Sequence, residues 1–153
     1  MFGVVTLILI GALLAWLLAV MGVALEALRP RRRTLAWALT MGSPADPEEL
    51  PDMKGRFRLH HARLSIGLEV PCWDLEGLAP AGPLVVIVHG WGRSRWDSLR
   101  RAPLVLPHAS RVLLPDLRGH GEARGLTRLG SIEADDLIAL LNERGALDAG
   151  APP

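Results

Sequence analysis

Hydrophobic and polar positions change rhythm several times along this chain. From Phe2 to Leu25 there is no charged residue. A helix over that run, rising about 1.5 Å per residue, exceeds the ~30 Å hydrocarbon core of a bilayer. Arg29, Arg31, Arg32 and Arg33 follow at once, then a short apolar patch, Thr34 to Met41, expected to lie along a membrane surface. Gly42 to Pro51 is dense in proline and reads as a linker. From Phe57 the spacing shortens: Phe57, Leu59, Leu64, Ile66, Leu68 and Val70 predict a β-ribbon turning near Gly67 and extended through Pro71–Leu75. Leu84 to Val88 is a continuous, mostly β-branched apolar run, the pattern of a strand buried on both faces in a parallel sheet. Arg111 to Pro115 repeats it. Between them Ser94–Leu106 predicts a crossover helix, broken at Pro103 and ended by Pro107. Trp96, Leu99 and Leu104 are expected to face the sheet, with Arg93, Arg95, Arg100 and Arg101 on a solvated face. A last helix is expected from an N-cap at Ser131, with Glu133, Asp135 and Asp136 at the positive end of its dipole. Its apolar face would be Ala134, Leu137, Ile138 and Leu141, and its stop Gly145.

Composition alters this picture little. The length of 153 residues suits one domain, and the 50% hydrophobic content is high for a wholly soluble protein because the excess sits in the N-terminal run. A net charge of +1 offers no case for nucleic-acid binding. Cys72 is the single cysteine, so no internal disulfide forms, and no Cys/His spacing fits a metal. His60 and His61 are adjacent on an expected strand and point to opposite sides, which argues against a chelating pair. The N-terminal run lacks a basic leader and a small-residue cleavage site, so a membrane anchor is favoured over a signal peptide. The arginines after it place the rest of the chain on the cytoplasmic side.

The candidate chemistry lies in the turns after the two apolar strands. His89-Gly90-Trp91-Gly92 follows the first, and Asp116-Leu117-Arg118-Gly119-His120-Gly121 the second. Turns at the C-terminal ends of parallel strands are where open α/β sheets place ligands. In that order, and separated by a helix-length segment, the two motifs resemble the α/β-hydrolase family over roughly Phe57 to Gly145. The resemblance implies an α/β fold: a partial α/β-hydrolase parallel sheet with flanking helices, which the apolar run precedes with one transmembrane helix. Together these readings divide the chain into a transmembrane helix (1–28), a basic juxtamembrane segment and linker (29–55), and a truncated α/β-hydrolase domain (56–153). The resemblance also implies that the backbone N–H of Trp91 is an oxyanion-hole donor, that Gly90 and Gly92 shape its loop, and that His89 orients neighbouring loops without being the catalytic histidine.

Acyl transfer also needs a nucleophile, a base and a carboxylate to orient the base. The family places its nucleophile in a G-x-S-x-G turn after a later strand, and no G-x-S-x-G occurs here. Gly92-Arg93-Ser94-Arg95-Trp96 comes nearest but lies in the first loop. His108 and His120 precede any nucleophile, and Asp116 reads as a turn former, so no triad residue is assigned. The expectation is the N-terminal half of a membrane-anchored serine hydrolase, inactive as it stands, with a small acyl substrate in the complete protein and no cofactor. The alternative is a non-catalytic single-pass protein with a hydrolase-like binding half-domain.

Overall fold

The computed structural model describes residues 2–143, so the helix stop expected at Gly145 lies outside the described residues. The N-terminal run is one helix, α1 (Phe2–Leu28), exposed along its apolar length. By length and composition it suffices to cross a bilayer. A short helix α2 (Leu35–Thr40) follows. The proline-dense stretch after it is packed against the body. Ala38, Leu50 and Met53 are buried in the core with Trp73, Trp96 and Leu99, and the Trp96 indole donates to Ala45 O at 3.0 Å. Proline there forbids regular structure without forbidding burial. Asp46 caps a single 3₁₀ turn at Pro47–Glu49 that brings Leu50 inward.

The ribbon forms as expected, with β1 (Phe57–Arg63) antiparallel to β2 (Glu69–Glu76) and Gly67 at φ 73° in the turn between them. Leu59 and Ile66 of this pattern are exposed, Ile66 at the tip of the turn. β3 (Leu84–Val86) and β4 (Arg111–Pro115) pair in parallel, and the sheet order is β1-β2-β4-β3. Alternation along the strands separates two apolar layers. Val112 and Leu114 join Leu75 and Trp96 on one face, whereas Leu113 joins Val70, Cys72 and Leu140 on the other.

The two apolar strands differ from each other. β4 is paired on both edges and buried from Val112 onward, as its run predicts. Leu84 to Val88 is only half-buried, because among the described residues β3 has one neighbour and its other edge is unpaired. The crossover is two helices, α3 (Arg95–Leu99) and α4 (Ala102–Val105), and Pro103 lies in the first turn of α4 where its missing N–H costs nothing. Trp96 and Leu99 are buried, whereas Leu104 faces solvent. On the opposite face lies α5 (Glu133–Glu143), rotated from the expected register: Asp136 and Leu140 are buried, while Ala134 and Ile138 are exposed. Ser131 is not its N-cap. Its hydroxyl donates backwards to Arg128 O, and the Glu133 carboxylate accepts the N–H groups of Arg128 and Gly130 instead.

Candidate functional site

The turns after β3 and β4 lie against each other, and buried polar groups hold them there. Asp116, fully buried at the end of β4, accepts the backbone N–H of Arg95 at 2.7 Å, the N–H of Glu122 at 2.9 Å, and the Arg95 guanidinium. Arg95, expected on a solvated face, is therefore buried. Its guanidinium also donates to Glu122 at 2.6 Å and lies over the rings of Trp96 and Trp73 at 4.1 and 4.8 Å. A buried cation needs such partners, since removing either side of a buried pair leaves an uncompensated charge. Arg93, at the exposed start of the same segment, pairs with Asp97, which also receives Arg33 from the arginine cluster after α1.

His89 joins the loops directly. The N–H of Leu117 donates to its Nε2 at 3.0 Å, and Nδ1 lies 3.0 Å from Gly90 O. An acceptor at Nε2 and a donor at Nδ1 define a neutral imidazole with its proton on Nδ1. Burial lowers the His89 pKa; the carbonyl of Gly90 and the carboxylates of Asp116 and Asp97 oppose this, and nearby His120 reinforces it. The His89 and His120 rings are 5.1 Å apart. The Nδ1 of His120 lies 2.9 Å from Arg118 O, while its buried Nε2 has no partner.

Two glycines of the second motif have steric reasons. Gly121, at φ 51°, has the Asp116 carboxylate where a Cβ would be. Gly119, at φ 73°, lets the backbone of Leu126–Thr127 pass at a distance no side chain permits. In the first motif only Gly92 has a positive φ, 68°; Gly90 has neither a positive φ nor a close neighbour. Arg118 turns away from the loops and clamps α5. Its guanidinium grips both oxygens of Asp136 at 2.5 and 2.6 Å and Ser65 at 3.3 Å, and the Asp136 bonds raise its pKa against the effect of burial. The expected dipole carboxylate Asp136 is thus the buried partner of a motif arginine. Burial of Glu133 would raise its pKa, but the N–H groups and the Thr127 hydroxyl that it accepts hold it below the ordinary value.

Between the loops is a cavity of about 520 Å³ lined by Ala27, His89, Gly90, Trp91, Leu117, His120, Thr127, Leu129, Gly130 and Glu133. The Trp91 side chain reaches back to α1, donating from Nε1 to Ala27 O at 3.0 Å. Its backbone N–H has no partner among the described residues. Ser94, the one serine near a G-x-S-x-G pattern, is fully buried. The sequence motifs located the loops but not Arg95, Glu122 or Asp136.

The strand order, the crossover and the two turn motifs make this part of the α/β-hydrolase fold. Among solved structures, an esterase of Pyrococcus furiosus, Pf2001, aligns with a TM-score of 0.60 at 20% identity, over 80% of this chain and 42% of that one. A second crystal form of it gives 0.56 at 20% identity, over 78% and 43%. An α/β hydrolase from Novosphingobium aromaticivorans gives 0.48 at 24% identity, over 59% and 32%. The chain spans less than half the length of the Pf2001 esterase. No family model and no curated protein matches it.

Proposed function

We propose that this chain forms the first part of a membrane-anchored α/β-hydrolase whose complete form cleaves a small acyl ester or amide through an acyl-enzyme. The observation that carries the reading is the clamp of His89 on the Leu117 N–H, which braces the first loop against the second beside a cavity lined by Trp91, whose backbone N–H makes no hydrogen bond among the described residues. In this role that N–H is an oxyanion donor, and such donors contribute roughly 3 kcal/mol to transition-state stabilisation. His89 is the brace and takes no proton from a nucleophile, because its Nε2 lone pair is already engaged. The chain by itself is inactive in this reading, since Ser94 is buried and no G-x-S-x-G is present.

Docking of α1 on the body supports an uncleaved anchor over a removable leader. Besides the Trp91 indole bond to Ala27, the Thr127 N–H donates to Leu28 O at 3.2 Å. The following arginines support a cytoplasmic C-terminal part. Compartment-specific reporters fused after Gly55 test this; signal from the external reporter, or a processed N-terminus, refutes it. For the chemistry, purified chain and its Ser94→Ala variant are incubated with short activated acyl esters. Neither is expected to turn over, and turnover abolished by Ser94→Ala overturns the assignment. Reading the coding DNA beyond Pro153 in all frames is the complementary test. A strand followed by G-x-S-x-G, then Asp and His, supports the hydrolase; their absence favours a non-catalytic binding protein.

A further inference from the structure

The cavity between the two loops has the anchor helix as one of its walls. Ala27 lines it, and the carbonyls of Ala27 and Leu28 accept the Trp91 indole N–H and the Thr127 backbone N–H. Last-turn carbonyls have no partner within their own helix; here one comes from each site loop. The uncharged run ends at Leu25, so Ala27 is only about 3 Å further along the helix axis. Whatever depth the end of α1 occupies, the mouth of the cavity occupies it too.

The chemistry of the rim suits that depth. Trp91, Leu129 and Leu126 are 56%, 61% and 37% exposed, and Leu129 is held at φ 53°, an unfavourable conformation for its side chain. Beside them a groove of about 350 Å³ is lined by Arg29, Arg32, Gly119 and Leu126. Exposed indole and leucine next to arginine is the composition of a surface seated at the boundary of headgroups and acyl chains. His120 is among the residues that line the cavity, and its buried Nε2 has no partner. With Nδ1 donating to Arg118 O, that nitrogen is an acceptor in the neutral ring.

We infer that the cavity opens onto the lipid leaflet that holds the end of α1, and that it admits a membrane-resident acyl ester with a hydroxyl-bearing headgroup, such as a monoacylglycerol. The acyl chain enters past Trp91 and Leu129, and a headgroup hydroxyl donates to His120 Nε2. This rests on the anchored-hydrolase reading above, and names the substrate class and the route to its site.

The test uses the full chain, with Cys72→Ala, in phosphatidylcholine vesicles with and without phosphatidylglycerol. Nitroxides are placed at Leu126→Cys and Leu129→Cys, and at Ile66→Cys on the hairpin turn as an aqueous control. Flotation shows first whether the protein is anchored; a chain that does not float removes the anchor reading and this inference together. In floated protein the expected result is high collision with oxygen and low collision with a water-soluble nickel complex at 126 and 129, and the reverse at 66. Aqueous behaviour at all three positions overturns the inference and leaves the anchor intact. A monoacylglycerol carrying a diazirine in its acyl chain is then added and photolysed. Labelling of the Trp91 and Leu129 peptides is expected. His120→Asn, which keeps an amide donor near the Nδ1 position but loses the Nε2 acceptor, should lower it roughly fivefold to tenfold, the worth of one hydrogen bond. His120→Gln, which restores an acceptor there, should recover it. Absent labelling, or equal labelling in His120→Asn, overturns the substrate assignment.

Discussion

His89 owes its protonation state to where it sits. Its Nε2 accepts from Leu117 only while the ring is neutral, and burial pushes its pKa below the ordinary value. Between that depressed value and about 6.5, the value for an exposed histidine, the folded chain binds fewer protons than the unfolded one. The contribution to stability is therefore fully present above about pH 6.5 and declines as the pH falls through this window. Urea unfolding of the full chain in detergent, repeated across pH, is expected to show this slope. His89→Gln, which retains an acceptor for Leu117 without titrating, should flatten it; an unchanged slope assigns the effect to another group. Glycine offers a second contrast. Gly121→Ala places a methyl group on the Asp116 carboxylate and should destabilise by about 1–3 kcal/mol or more. Gly90→Ala meets no neighbour closer than 3.8 Å and should be nearly neutral. Equal effects would mean that the second motif does not pack as described.

Among the elements, α5 is the one whose register is set by a buried polar clamp. Its apolar positions allow more than one stripe: Ala134, Leu137, Ile138 and Leu141 share a helical face as readily as the residues that are in fact buried. What selects the register is Arg118, which fixes Asp136 under the sheet and carries Leu140, one turn later, into contact with the layer around Val70 and Leu113. Leu140→Ala is expected to cost about 2–5 kcal/mol, in the range of buried leucine truncations. Ile138→Ala, at a half-exposed position, should cost far less. Measuring both by chemical denaturation decides between the two faces. The β-ribbon, by contrast, was legible in advance, because alternation and a turn glycine are local properties.

For the molecule as a whole, residues 29–53 are part of the folded body. Ala38, Leu50 and Met53 fill one face of the core, Ala45 O receives the Trp96 indole, and Arg33 pairs with Asp97. The β3 edge opposite β4 is unpaired among the described residues, and a flat apolar edge is a template for association. Lys54–Pro153 produced alone loses those core contacts and keeps that edge. It is expected to aggregate or to lack fixed side-chain packing, while the full chain in detergent remains folded. Sedimentation and amide signal dispersion check this; a monomer of 54–153 with dispersed signals and a sharp thermal transition would show that the first 53 residues only tether.

The apolar helix, the hairpin, the two strand–turn motifs and hence the α/β class were determined by the sequence alone, since each rests on local periodicity or on glycine and proline chemistry. Burial of Arg95, the pairing of Arg118 with Asp136, the face of α5 and the packing of 29–55 were decided only by the tertiary structure. A charged side chain is buried or exposed according to partners that the chain brings from far away: Asp116 lies 21 residues from Arg95, and Asp97 lies 64 from Arg33. Local pattern contains no term for such pairs. For the same reason the half-burial of Leu84–Val88 was invisible in its apolar run, because the run reports what a strand can bury, and its neighbours in the sheet decide how much of it is covered.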